Sequence, residues 1–385
     1  VDILKAVRDQ VLETNFISIS TPDKKNANMI FEILNAKGKK LSDVDLIKNK
    51  IFEVLNELVP ADFAEVKWTQ INENLMSRSE TVGMVTFYRH FWMSNYKKAT
   101  ANNLYYQFIN EIKPANEVTY KQFLEKMEKD SELYIQIINP TREDYNNKKQ
   151  YFWLVQSLNA IINHFNGVQV RMPILALMKA KNRNLITAKK FKESMIAIEN
   201  FQFVYTTLIS GRANAVEGIY SKFSIALNKA VDKTVANKII DEELIEKINK
   251  KYPSYEQFLD KFTNLTFSKI DNSDNIKTKY ILNKLNCFYD NNEIYSDFGT
   301  IEHILPEAKG ASALNIGNLI LLEERLNSRA GANNFLEKKS IYQESSYEWV
   351  KKFIEINDDW NEEKIDKRAL DLANEYYTKI LKRNL

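Results

Sequence analysis

The sequence predicts a mainly α-helical (α+β) chain, in which a helical bundle region is followed by a compact unit of two short strands and a helix. Three observations carry that reading. The 385 residues include only 9 glycines and 7 prolines, where ordinary usage is roughly 7% and 5%. Both residues punctuate helices, so their scarcity favours helices with few tight turns between them. From about residue 61 to 290 apolar residues recur at three- and four-residue intervals. Beyond about residue 290 the texture changes to short apolar runs.

The elements follow in order. Phe16-Ile17-Ser18-Ile19-Ser20 alternates as a short strand does, and Met29 to Asn35 reads as a helix closed by a turn at Lys37-Gly38. Ser42 is a good N-cap with Asp45 at the capping-box position, and Leu41 and Leu46 stand where a hydrophobic staple forms. Val44, Ile47, Ile51, Leu55 and Leu58 continue that helix. Phe123, Leu124 and Met127 mark another. Phe152, Val155, Leu158, Ile162 and Phe165 mark a longer one ending at Gly167. Phe191, Met195, Ile198, Phe201, Tyr205 and Leu208 mark one ending near Gly211, and Ser254 with Gln257 opens a further helix by the same capping logic. Residues 142–149 and 271–274 are polar loops. Past 290, Gly299-Thr300-Ile301 leading to Ile304-Leu305, and Asn318 to Leu322, suit two strands. A helix is predicted from about Asn333 to Tyr342 and a last one from about Asn361 to Leu381. The expected division is 1–60, 61–289 and 290–385.

A net charge of +3 does not announce nucleic-acid binding, so any basic patch must be local. The single cysteine, Cys287, excludes an internal disulfide or a cysteine-cluster zinc site and fits a reducing, cytoplasmic setting. No run of 18 apolar residues predicts a membrane span. The chain begins on Val1, not Met, with no signal-peptide pattern, so the expectation is a fragment or processed product.

The chemistry is concentrated near the C-terminus, in Ile301-Glu302-His303-Ile304-Leu305-Pro306, Ile316-Gly317-Asn318-Leu319, Leu326-Asn327-Ser328 and Asn333 to Lys339. Together they bring a carboxylate, an imidazole and several amides into one strand–loop–strand–helix unit. Phosphodiester hydrolysis needs a base to activate water and a cation to absorb charge on the phosphate. Histidine, titrating near pH 6.5, suits the first task. A carboxylate with an amide oxygen is hard-ligand chemistry, suited to Mg²⁺ or Mn²⁺. Neighbours on a strand point to opposite faces, so Glu302 and His303 need a twisted strand end to share a site.

This segment resembles the ββα-metal HNH nuclease motif in the form found in the C-terminal domain of GmrSD-type type IV restriction enzymes, over roughly residues 280–385. Glu302, His303, Ile304, Leu305 and Pro306 meet the family's acidic–His–Ile–any–Pro pattern. Gly317-Asn318-Leu319 meets its Gly-Asn-Leu element and Leu326-Asn327-Ser328 its Leu-Asn-Ser element. Asn334, Phe335 and Lys338 meet its helix entry. The resemblance implies His303 as general base, Glu302 and Asn327 as ligands of one divalent ion, and Asn318 as the brace of the inter-strand loop. It implies Lys338 as a contact to phosphate. Phe31 to Ser42 resembles the end of the family's ParB-like N-terminal domain, so residues 1–60 are expected to be its remnant. Phe87 to Trp92 resembles a segment that follows it. The Asp-Gly-Gln-Gln-Arg string tied to nucleotide hydrolysis in that domain does not occur. The function implied is cleavage or nicking of DNA, including modified phage DNA. A sensor or nucleotide-hydrolysing domain is expected upstream of Val1 or on another chain, and an oligomer is compatible with the reading.

Blander readings stand beside these. His90 and His164 read as structural. Asn318 and Asn327 could serve turns or caps, and Lys338 and Lys339 suit a solvated helix face equally well. A catalytically weak DNA-binding or regulatory module, or an RNA-directed nuclease, are the rival functions.

Overall fold

The computed structural model describes residues 2–14, 41–55, 62–270, 272–294 and 299–385. The strand expected at 16–20, the helix at 29–35, the turn at 37–38 and nearly all of the ParB-like segment lie outside the described residues. Contacts divide the chain into two compact units, one of residues 1–73 with 99–129 and one of residues 74–98 with 130–385.

In the first unit the helix Asp43–Val54 starts where the capping signal puts it. The Ser42 side chain accepts from the Asp45 N–H while the Asp45 carboxylate accepts from the Ser42 N–H. Val44, Ile47, Ile51 and Leu55 are buried, as their spacing requires. The helix Leu104–Glu111 packs on it, and the Asp43 carboxylate accepts from the Tyr105 N–H at 3.1 Å.

The second unit is built on three helices, Met84–Asn95, Arg171–Asn182 and Asn214–Lys229, packed on one another. Met84–Asn95 is buried nearly all round, carrying Phe87, Tyr88, Phe91 and Trp92, so it is a core helix and not an amphipathic surface one. His90 is part of that core. Its Nδ1 lies 2.6 Å from the Tyr134 hydroxyl, and burial pushes its pKa down to about 3. The helices marked by Phe152 and by Phe191 both end in π turns, Ala160–His164 and Gln202–Leu208.

The C-terminal part shares an apolar core with the ends of the helices marked by Phe152 and Phe191. A single apolar cluster runs from Ala160 through Phe203 and Ile281 to Leu319, Leu322, Tyr376 and Leu381, crossing residue 290 without a break. Here α1 (Tyr255–Thr263), opened by the Ser254–Gln257 capping box, and α2 (Asn275–Tyr289) precede the strands. β1 (Gly299–His303) pairs antiparallel with β2 (Leu319–Glu323), from Gly299 opposite Glu323 to His303 opposite Leu319. All of Leu319 to Leu322 are buried, because helices cover both faces of this small sheet. Then come α3 (Glu324–Ala330), α4 (Phe335–Tyr342), α5 (Glu348–Ile356) and α6 (Glu362–Glu375).

α3 is a helix to which the sequence reading gave no element. Only Leu326 and Ala330 are buried on it, and one i, i+4 pair is too short a pattern to stand out as a period. Its end was signalled by Gly331, which adopts φ +46° directly after it. α4 is two residues shorter at its start than expected, since Asn334 is its N-cap, in a capping box with Glu337.

Candidate active site

β1 places Glu302 and His303 side by side at its end, both buried. Strand alternation sends their side chains to different neighbours. The His303 Nε2 lies 3.0 Å from the carbonyl oxygen of Phe267, on the segment between α1 and α2. A carbonyl only accepts, so Nε2 carries the proton and the lone pair resides on Nδ1. Nδ1 has no hydrogen bond with a described residue.

Glu302 turns to α4. Its Oε1 accepts from the Lys338 ammonium at 2.6 Å and from the Tyr342 hydroxyl at 2.9 Å. Lys338 and Tyr342 are four residues apart, hence on one face of the helix. Lys338 also donates to the His303 carbonyl at 2.5 Å and is 0% exposed. It is therefore no part of a solvated face, and its ammonium is committed to the end of β1. Burial lowers the Lys338 pKa against the opposing pull of Glu302, and burial with the Glu302 charge raises Tyr342 well above its ordinary value. The other oxygen of Glu302, Oε2, accepts no hydrogen bond from a described residue.

Asn327 stands on α3 at the edge of β1. Its amide nitrogen donates to the Thr300 hydroxyl at 2.8 Å and the Ile301 carbonyl at 2.9 Å. Those two bonds fix the amide plane and leave Oδ1 with no described partner. Thr300 and Glu302 share a strand face by alternation. Among the described residues no three His, Cys, Asp or Glu side chains gather as a metal cage. A magnesium ion is commonly held by one or two protein oxygens, with water and phosphate completing the shell. Glu302 Oε2 and Asn327 Oδ1 fit that smaller donor set.

Asn318, by contrast, uses both ends of its amide. Its Oδ1 accepts from the Leu305 N–H at 2.8 Å and from the Trp360 Nε1–H at 2.9 Å. Its Nδ2 donates to the carbonyls of Leu305 at 2.8 Å and Ala313 at 2.7 Å. It therefore clips the chain two residues after His303 and has nothing left for a ligand. α6 closes over this clip. A Cβ on Gly317 would lie 2.0 Å from the Ile365 carbonyl oxygen, so only glycine permits the approach. Arg368 of the same helix donates to the carbonyls of Gly317 at 2.7 Å and Leu319 at 2.8 Å. Burial pushes its pKa down to about 10.

Tyr342, Trp360, Arg368 and the Phe267 carbonyl are supporting groups that the sequence did not single out. Tyr342 carried a signal, its i+4 relation to Lys338. The other three reach the site from 36 to 51 residues away in the chain, and no local pattern announces them.

Residues 252–375 match the family model described as GmrSD restriction endonucleases, C-terminal domain. No curated protein matches the chain. Among the described residues no helix is long and apolar enough to cross a membrane.

Proposed function

We propose that this chain, whose residues 252–375 match the model of the GmrSD restriction endonuclease C-terminal domain, is an HNH-type, metal-dependent DNA endonuclease or nickase. It would act in a cytoplasmic restriction system directed at phage DNA, modified DNA included, alongside a sensor or nucleotide-hydrolysing unit. The observation that carries the reading is a division among the site residues. Glu302, His303 and Asn327 are each anchored through one side-chain atom and keep a second atom without a described partner. Asn318 and Lys338 are fully engaged.

In this mechanism the Phe267 carbonyl holds His303 in the tautomer whose Nδ1 takes the proton from the attacking water. Asn318 keeps that imidazole in place by fixing both backbone groups of Leu305. Lys338 acts as a positioning residue, tying the Glu302 carboxylate and the His303 carbonyl to α4. Glu302 and Asn327 would hold the divalent ion, Mg²⁺ or Mn²⁺, through their remaining oxygens. When bound, that ion supplies Lewis-acid stabilisation of the charge developing on the phosphate.

A second reading, a catalytically weak DNA-binding or regulatory module, draws on one contact. The Glu302 carboxylate already has a cation beside it in Lys338. Plasmid nicking with Mg²⁺, with Mn²⁺ and in excess chelator separates the two, with an RNA substrate run in parallel. Nicking of DNA that stops in chelator is the expected result. Full cleavage in chelator would end the metal-dependent mechanism. Binding without cleavage would favour the regulatory module, and cleavage of RNA alone would change the substrate.

A further inference from the structure

Lys338 was the residue expected to meet phosphate, and it is sealed between Glu302 and the His303 carbonyl. The nuclease reading therefore lacks a group that grips the substrate backbone. An open groove of about 420 Å³ lies alongside, with Thr300 and Asn327 in its lining, and the Phe267 segment that holds His303 forms one wall.

Two cations border that groove. Lys269 and Lys279 are exposed, and neither ammonium forms an ion pair or hydrogen bond with a described residue. The neighbouring lysines of α2 show that this is selective. Lys277 is tied to Asp274 at 2.9 Å and Lys284 to Glu199 at 2.7 Å. Lys279 stands between them with no partner among the described residues. Among the described lining residues Glu324 is the one acid. Two ammonium groups with no described partner, in an open trough, suit contact with a phosphodiester backbone.

We propose that this groove is the track for the DNA backbone, with Lys269 and Lys279 each contacting a phosphate flanking the one to be cut. The inference rests on the nuclease reading and deepens it. Lys269 lies at the catalytic end, two residues beyond Phe267, whose carbonyl meets His303. Lys279 holds the start of α2, so the backbone would run from α2 past Asn327. Contacts of this kind set register and affinity without reading bases. Base or modification selectivity would have to come from elsewhere.

The test is binding of the full chain to a short labelled plain duplex, by fluorescence anisotropy in chelator, over salt concentrations between about 50 and 200 mM. Wild type, Lys269→Ala, Lys279→Ala, the double variant and the distant surface variant Lys233→Ala are compared. Each lysine that meets a phosphate contributes about 0.9 to the slope of log affinity against log salt. Each single variant should lose about that much, and the double variant about twice it, with an unchanged melting temperature because both side chains are exposed. Lys233→Ala should match wild type. A double variant that nicks and binds with the wild-type slope overturns the groove assignment and leaves the nuclease reading standing. A wild type that neither binds nor nicks DNA removes both. A slope change seen with RNA but not with DNA also overturns the assignment.

Discussion

Two buried carboxylates in this chain are held by the same kinds of side chain, yet they do different things. Glu199, in the helical region, accepts from Tyr280 at 2.8 Å, Lys284 at 2.7 Å and Ser157 at 2.7 Å. Glu302 accepts from Lys338 and Tyr342. In each case lysine and tyrosine lie four apart on one helix, in opposite order. The difference is the third partner. Ser157 takes the second oxygen of Glu199 and completes it, while the second oxygen of Glu302 has no described partner. Burial works against the Glu199 charge, and Lys284, Ser157 and Tyr280 overcome it, so its pKa falls below the ordinary carboxylate value. A carboxylate with both oxygens satisfied is structure. One with an oxygen left over can bind something.

The sharpest way to probe that contrast begins beside Glu302. His303→Ala should reduce nicking by about 10²–10⁴-fold, the range lost with a general base, while thermal unfolding stays close to wild type. A variant within about tenfold of wild type would remove His303 from the base role.

The two carboxylates should then separate under substitution. Glu199→Ala removes the shared acceptor of Lys284, Tyr280 and the buried Ser157 hydroxyl, so a loss of about 1–3 kcal/mol in stability is expected from denaturant unfolding. The metal dependence of the protein that remains folded should not change. Glu302→Gln keeps an acceptor for Lys338 and Tyr342 but weakens the free oxygen as a ligand. Its signature should be a higher Mn²⁺ requirement for nicking, with a smaller loss of stability. If both variants showed the same pair of effects, the distinction drawn from the unpaired oxygen would be wrong.

Gly317→Ala tests the brace and not the chemistry. The added methyl meets the Ile365 carbonyl, and overpacking of this kind costs about 1–3 kcal/mol. Thermal unfolding should show it, and nicking should fall as the Asn318 clip loosens. A variant as stable and active as wild type would mean that α6 can retreat freely.

At neutral pH the smallest effect belongs to His90, whose contribution shows only in acid. Its folded pKa of about 3 lies below the unfolded value, which is about 6.5. The unfolded chain therefore binds a proton that the fold refuses. Stability from this group is complete above about pH 6.5 and declines toward pH 3, by about 1.4 kcal/mol per pH unit. His90→Gln should flatten the acid limb of a stability–pH curve, and an unchanged slope would count against a buried neutral imidazole.

The parts of the molecule that were legible in the sequence are those governed by short-range rules. Ser42–Asp45 and Ser254–Gln257 announce helix starts because a capping box is complete within four residues. The second strand was visible from its unbroken run Leu319 to Leu322, and the first from the apolar residues on either side of Glu302-His303. At the site, the five residues singled out all lie on or beside the small sheet, and Asn318 bonds both backbone groups of Leu305 and the Ala313 carbonyl. Lys338 was misjudged because burial depends on what packs over a helix face, and α4 on its own gives no sign of Glu302 beneath it. The groove lysines were missed for a related reason. A free lysine and a spent one look alike until the partners of Lys277 and Lys284 are known.

The helix α6 carries a consequence for the life of the chain during synthesis. Trp360 holds the Asn318 side chain, and Arg368, eight residues on, holds the carbonyls on either side of Asn318. Translation delivers these residues after every one of the candidate site residues, so an incomplete polypeptide has its nuclease residues but lacks their clamp. The clamp on the Asn318 loop can form only once α6 has emerged and docked. A chain stopped before Trp360 should accordingly bind DNA through the groove yet fail to nick it.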